Sequence, residues 1–231
     1  MKNKVLVIAA HPDDEVLGCG GTIALHTAAG DTVSVLILSE GITSRDPKRD
    51  VNKNKKKLSE LKLSAKNAAV ILGTNPPIFE NFPDNRMDSV DFLDIVKSIE
   101  TQVERQKPNI IYTHHAGDLN IDHRIIFNAV ITACRPFSKE KIQAIYSFET
   151  PSSTECGCIG EMPYFSPTRF LDISNSYGIK SKALDAYKSE MRDFPHPRSK
   201  KAIKSLAEWR GSTCGVELAE AFIVVREIIK I

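Results

Sequence analysis

His11, Asp13, Asp14 and Glu15 crowd into "HPDDE", directly after the apolar run "KVLVIAA". Three adjacent acids repel one another and resist burial, so their placement is unfavourable unless a cation compensates them. A second polar cluster, "THHAGDLNIDH" from Thr113 to His123, contains His114, His115, Asp118, Asn120, Asp122 and His123. His11 and Asp14 flank Asp13, and His123 from the second cluster adds a second imidazole. Two histidines and one carboxylate, with a fourth position open to water, is the donor set of a catalytic zinc site. A lone H-x-x-D would be weak evidence. Two such clusters, each at the end of an apolar run, point to metal-assisted chemistry.

The elements that must bring the clusters together are legible from periodicity. "KVLVIAA" and "TVSVLILS" are continuous aliphatic runs of the kind found in strands buried on both faces. "PIFENF", "NIIYTHH" and "AIYSFET" extend the strand series. Between them, the spacing predicts a helix ending at Gly30, another over Lys53–Leu72 with an apolar stripe and Gly73 as its stop, and two more over about Asp88–Gln106 and Asp122–Cys134. Alternation of this kind implies an α/β, Rossmann-like fold: a mostly parallel sheet with helices on both faces. After Thr150 the pattern loosens into a Cys/Gly/Pro loop, a strand near Arg169–Ile173, helices around Ser176–Met191 and Arg198–Trp209, and the apolar run "EAFIVVREII". No linker or repeat is evident, so residues 1–231 are expected to form one domain with a C-terminal extension of the same sheet. In open α/β sheets, ligands sit beyond the carboxyl ends of the strands where strand order reverses. If the first and fourth strands are neighbours, both polar clusters face one crevice.

Composition narrows the partners. With 42% hydrophobic residues, the chain can bury a full core. A net charge of +2, from 31 basic and 29 acidic residues, gives no reason to expect nucleic acid or anionic membrane. The N-terminal apolar run is too short for a signal segment or a membrane span, so a cytoplasmic address is expected. Cys19, Cys134, Cys156, Cys158 and Cys214 are read as reduced thiols, and the C-x-C of "ECGCIG" lacks the second pair of a zinc knuckle. His26, inside an amphipathic helix, is read as structural.

"AAHPDDEVLGCGGT" resembles the opening motif of the LmbE/PIG-L family of zinc-dependent de-N-acetylases, and "HHAGDLNIDHR" resembles its second motif. "FPDNRMD" at Phe82–Asp88, "PHPRS" at Pro195–Ser199 and "AEAF" at Ala219–Phe222 extend the likeness over nearly the whole chain. The resemblance implies Zn2+ held by His11, Asp14 and His123, with Asp13 as general base. It also implies an N-acetylated amino sugar as the substrate, free or linked to a nucleotide or lipid, and a homo-oligomer, trimer or hexamer. One position departs from the commoner pattern: Asn120 stands where many relatives have a histidine. Asn120 can donate a hydrogen bond to an oxyanion but cannot deliver a proton. Asp13 acting in both directions, His114 and His115 are the candidates for the general acid. Asp122 and Asp118 would orient a neighbour or contact substrate. Glu15, Glu40, Arg45, Asp84 and Arg86 fall on loops of the same side, with Asp84 and Arg86 assigned to sugar hydroxyls or a phosphate. His196 either approaches the site or braces a Pro-bounded turn.

Three readings compete. "GCGGTI" gives a G-x-G after the first strand, with Glu40 about 20 residues on, as in a nucleotide-binding Rossmann protein without hydrolase activity. The third glycine of that fingerprint is missing, and the acids of "HPDDE" would repel a pyrophosphate. A zinc-containing binding protein is disfavoured by Asp13, which has no structural task beside Asp14. Among hydrolases, a deformylase or other amidase would use the same ligands. Gly18, Gly20 and Gly21 each cost about 1 kcal/mol relative to Ala in a helix, so they serve either close packing or a ligand.

Overall fold

The computed structural model describes residues 2–137, 140–157 and 162–229. Cys158 therefore lies outside the described residues, while Cys19, Cys134 and Cys214 are in no disulfide. The chain begins β1 (Lys4–Ala9), α1 (Asp14–Ala28), β2 (Thr32–Ser39), α2 (Lys55–Leu72) and β3 (Ile78–Phe82). It continues α3 (Phe92–Gln106), β4 (Ile110–Thr113), α4 (Ile121–Ala133) and β5 (Ala144–Phe148), and ends β6 (Arg169–Asp172), α5 (Tyr177–Ala186), α6 (Lys200–Ser212) and β7 (Ala219–Glu227). All the strands join one sheet in the order β3-β2-β1-β4-β5-β7-β6. β1 to β5 run parallel, and β7 lies antiparallel to both β5 and β6. The alternation thus gives the expected α/β architecture, and the C-terminal elements complete the same sheet. No helix among the described residues is long and apolar enough to cross a membrane.

Alternate residues of β1 divide the core. Val5 and Val7 pack with α1, α2, α5 and α6, whereas Leu6 and Ile8 pack with α3 and α4. Both faces are therefore apolar and covered, which is why β1 reads as an unbroken aliphatic run. β1 and β4 are neighbours, with Val5 opposite Ile110 and Val7 opposite Tyr112. The helices after them depart to opposite faces, and this opens the crevice at their carboxyl ends. The helix expected from about Asp88 starts instead at Phe92, after a short 3-10 turn at Met87–Ser89. The lysine run opens α2 with Lys55, Lys56 and Lys57 exposed. His26 is structural as read: its ring nitrogens meet Asp31 at 2.7 Å and the Tyr112 hydroxyl at 3.0 Å.

The glycines of α1 serve packing, and the helix breaks among them. A Cβ on Gly18 would stand 2.3 Å from the Phe148 ring, and one on Gly21 would stand 2.8 Å from Ile173. Cys19 leaves helical geometry at φ −146°, freeing a carbonyl above it and N–H groups below it. The Lys180 ammonium donates to the Leu17 carbonyl at 2.9 Å and to Glu220 at 2.6 Å. The Glu220 carboxylate in turn accepts from the Gly21 and Thr22 amides at 2.9 and 2.7 Å. The anion held at this glycine turn is thus the chain's own carboxylate, and the phosphate-cradle reading of "GCGG" fails for that reason. Glu40, the would-be ribose acid, instead bonds Arg49 and Thr43.

Lys180 and Glu220 are both buried. Removing one partner leaves a buried charge and two orphaned amides, so Glu220→Ala should destabilise by about 3–5 kcal/mol and lower Tm by roughly 10 °C. Glu220→Gln, which retains an acceptor, should cost less in the same thermal melts. Equal melting of Glu220→Ala and the wild-type protein would show that the break is held by something else.

Candidate metal centre

β1 ends at Ala9, and the chain turns through His11 and Pro12 before α1 starts. Asp13 occupies the turn at φ 124°, a conformation that costs a non-glycine residue about 1–3 kcal/mol and is held only where the surroundings over-determine it. The strain places Asp13 and Asp14 side by side at the crevice. From the β4 side, Asn120 caps α4 by accepting the Asp122 amide at 2.9 Å. That cap places Asp122 and His123 in the first turn, where a carboxylate is favoured by the helix dipole. Asn120→Ala should cost about 1 kcal/mol in thermal melts through loss of the cap; an unchanged melting temperature would mean the cap contributes nothing.

His11, Asp14 and His123 offer donor atoms within 4.8 Å of one another. His11 Nδ1 and His123 Nε2 each stand 3.2 Å from Asp14 Oδ2. Ligands about 2.0–2.2 Å from a tetrahedral zinc would lie roughly 3.3 Å apart, so the set fits such an ion. Two further observations agree. Asp14 Oδ1 and His123 Nε2 are buried with no hydrogen-bond partner among the described residues. Each imidazole also turns its other nitrogen toward carboxylate: His11 Nε2 lies 3.2 Å from Asp84 and from Asp122, and His123 Nδ1 lies 3.1 Å from Asp118. Carboxylates behind ligating histidines fix the ring orientation and raise its basicity.

The electrostatics express one unmet demand for positive charge. Burial opposes charge on Asp14, yet His123 and His11 together hold its carboxyl well below the usual range. Burial likewise works against a proton on His123, but Asp14 and Asp118 raise its pKa to about 9. Burial raises Asp13 despite the nearby Arg198 guanidinium, and Asp14 pushes it in the same direction. Burial lifts Glu15 to about 7, against hydrogen bonds from Tyr187 and the Asp13 amide. A divalent cation at these donors would meet the demand that a proton on His123 otherwise meets.

The remaining expected residues have specific places. Asp122 accepts from the Asn85 and Met87 amides at 2.7 and 3.0 Å, tying the 84–87 loop to His11. Asp84 accepts from Ser44, and the adjacent His11 helps hold it down to about 2 although burial opposes this. Asn120 Nδ2 donates to Asn85 at 2.7 Å. Asp118 accepts from Ser153, Thr154 and the Asn120 amide. Glu15 is buried, taking the Tyr187 hydroxyl at 2.5 Å and the Asp13 amide at 3.1 Å. His114 is buried under the centre with its ring stacked on His123 at 3.8 Å, and its Nε2 accepts the Ala10 amide at 2.8 Å. His115 Nε2 donates to the Pro163 carbonyl at 2.9 Å. Arg45 pairs with Glu190 at 2.6 Å, and Arg86 reaches only the Asp46 and Pro47 carbonyls. His196 is exposed, and its Nδ1 accepts the Arg198 amide at 3.0 Å. Sequence reading missed Arg198 itself, whose Nη1 lies 2.9 Å from Asp13 Oδ2, and Tyr187 behind Glu15. The only local signal for Arg198 was its position inside "PHPRS".

Residues 6–134, which contain both clusters, match the PIG-L family, described as GlcNAc-PI de-N-acetylase. The chain belongs to the PIG-L family. Among its relatives, YaiS of Escherichia coli K12, an uncharacterized deacetylase, is 29% identical over 80% of this chain and 90% of its own. The diacetylchitobiose deacetylase of Thermococcus kodakarensis is 26% identical over 94% of this chain and 81% of its own. The crystal structure of GalB, the 4-carboxy-2-hydroxymuconate hydratase of Pseudomonas putida KT2440, superimposes with a TM-score of 0.76 at 26% identity, covering 100% of this chain and 99% of that one. The structural likeness to GalB thus extends over the whole chain, including the C-terminal strands beyond residue 134.

Proposed function

We propose that this PIG-L family protein is a zinc-dependent hydrolase that removes the acetyl group from the nitrogen of an amino-sugar-containing substrate, releasing acetate and a free amine. The observation that carries the reading is the convergence of His11, Asp14 and His123, each imidazole backed by carboxylate, beside a further carboxylate that is not among the ligands. The sugar rests on the family's description and on the Thermococcus relative, both of which name N-acetylated glucosamine compounds.

Zinc held by His11, Asp14 and His123 would lower the pKa of its water towards ~7 and polarise the amide carbonyl. Asp13 accepts the proton of the attacking water at Oδ1, the oxygen left free by Arg198. Neither nearby histidine is placed to protonate the leaving nitrogen. His114 Nε2 is an acceptor for Ala10, its Nδ1 faces the Thr150 hydroxyl, and the ring is buried. His115 points its Nε2 at Pro163. Asp13 therefore returns the proton to the amine as the C–N bond breaks, acting in both directions. Asp84, Asp122 and Asp118 orient the two imidazoles, and Asn120 holds the loop of Asn85 against them.

Elemental analysis paired with acetate release from N-acetylglucosamine and its conjugates, with and without chelator, tests the reading. Chelator-sensitive acetate release supports it. Formate release from N-formyl analogues in place of acetate would move the activity to deformylation. Hydration of an unsaturated tricarboxylate, the type of activity named for GalB, with no acetate released from any conjugate, would overturn it.

A further inference from the structure

Arg198 is the cation in contact with Asp13, and the chain goes to some length to place it. Its amide is held by His196 Nδ1 at 3.0 Å, and the His196 amide in turn donates to the Asp193 carbonyl at 3.0 Å. The next residue, Ser199, caps α6 by accepting the Ala202 amide at 3.1 Å. The guanidinium is fixed at two points: Nε donates to Ser152 Oγ at 2.8 Å, and Nη1 donates to Asp13 Oδ2 at 2.9 Å. Ser152 itself sits at φ 76°, with its amide on Glu155 at 2.7 Å. Glu190, buried and paired with Arg45, stands 3.7 Å from the same Nη1. With Nε held on Ser152, the planar guanidinium presents Nη1 to Oδ2 in a set direction, which a flexible ammonium would not do.

Asp13 needs that grip. Its carboxylate is buried next to Asp14 and Glu15, its backbone is strained, and it does not cap α1 through its side chain. The cation that touches it takes Oδ2, and no donor among the described residues takes Oδ1. The Arg198 side chain remains 24% exposed, so the pair sits at the opening of the crevice rather than deep in the core.

We infer that Arg198, bracketed by His196, Ser199 and Ser152, is the positioning residue of Asp13: by occupying Oδ2 it fixes Oδ1 as the atom that exchanges protons with water and amine. The inference rests on the hydrolase reading for its kinetic consequence, and on the contact alone for its structural one. It gives "PHPRS" a task, since the motif sets the angle at which the guanidinium meets a residue 185 positions away.

Two measurements test it on the zinc-loaded protein. In the first, Arg198→Met is made in the wild-type and in the Asp13→Asn background and the four proteins are melted. The Tm loss caused by Arg198→Met should be at least halved when Asp13 is already neutral; equal losses in the two backgrounds would show that the pair does not form, and would overturn the inference. In the second, Arg198→Ala should lose about 10²-fold in kcat on the best acetylated sugar with KM little changed, the scale of a misplaced catalytic group. Millimolar guanidinium chloride should restore part of that loss, ethylammonium should not, and Arg198→Lys should fall between. Full activity in Arg198→Ala, or a loss confined to KM, would overturn the inference. A wild-type protein inactive on every acetylated sugar, with the thermal coupling present, would sink the deacetylase reading and leave the Arg198–Asp13 bracket standing.

Discussion

Asp13→Ala is expected to keep its zinc and to lose roughly 10²–10⁴-fold in kcat, the usual contribution of a positioned proton-transfer group. The separation of the two effects follows from the geometry. The donor set is His11, Asp14 and His123, and Asp13 makes its side-chain contact with Arg198 instead. Elemental analysis should therefore find the metal undisturbed while acetate release collapses. Because Asp13 serves in both directions, no second residue takes over either proton transfer, and the loss should lie toward the upper end of the range. Asp13→Asn, which keeps the shape but cannot accept the proton, should match Asp13→Ala in kcat. Wild-type turnover in either variant would remove Asp13 from the mechanism.

His123→Ala is expected to lose the metal itself. In the proposed site the imidazole would supply one of the ligand atoms; its ring is stacked on His114 at 3.8 Å, and its far nitrogen rests against Asp118. Losing an outer hydrogen bond to a ligand costs 10–100-fold in affinity, so loss of the ligand should cost well beyond ~100-fold. Zinc content measured after dialysis checks this, and undiminished stoichiometry would show that the second cluster supplies no ligand. A pH dependence accompanies it. Asp14 and Asp118 overcome burial to hold His123 at about 9 in the metal-free protein, so at pH 7 the ring carries a proton that a metal must displace. Burial opposes a proton on His11 too, yet Asp122, Asp14 and Asp84 hold it well above the ordinary histidine value, so zinc affinity should rise with pH through this range as protons are released on binding. Calorimetry in buffers of different ionisation heats reads those protons directly.

How far the sequence reveals this protein depends on the distance over which each signal acts. The strand before "HPDDE" and the helix after it were legible because apolar periodicity is local. The meeting of β1 and β4 followed from the alternation of elements and the usual doubly wound order. The cluster of His11, Asp14 and His123 was legible because its residue types are unusual at strand ends. Arg198, Glu190 and Tyr187 were not, because a contact spanning 172 or 185 residues leaves no trace in spacing. The break at Cys19 was also missed. Three glycines marked the place, but its stability comes from Lys180 and Glu220, which reach it from α5 and β7. The antiparallel direction of β7 was equally invisible, since an apolar strand reads the same in either sense.

The closure of the broken helix by Glu220 bears on how the chain is made. α1 is made well before the carboxylate that ties its Gly21 and Thr22 amides, which lies 198 to 199 residues downstream. Until β7 has been synthesised, the helix behind the acids lacks its buried ion pair, because Glu220 lies in that strand. Contacts of such long sequence separation form late and slow the search for the native state. The helix that carries Asp14 and Glu15 thus gains its full support only once β7 has been made, and a chain cut before β7 holds the motif residues without the carboxylate that closes the break behind them.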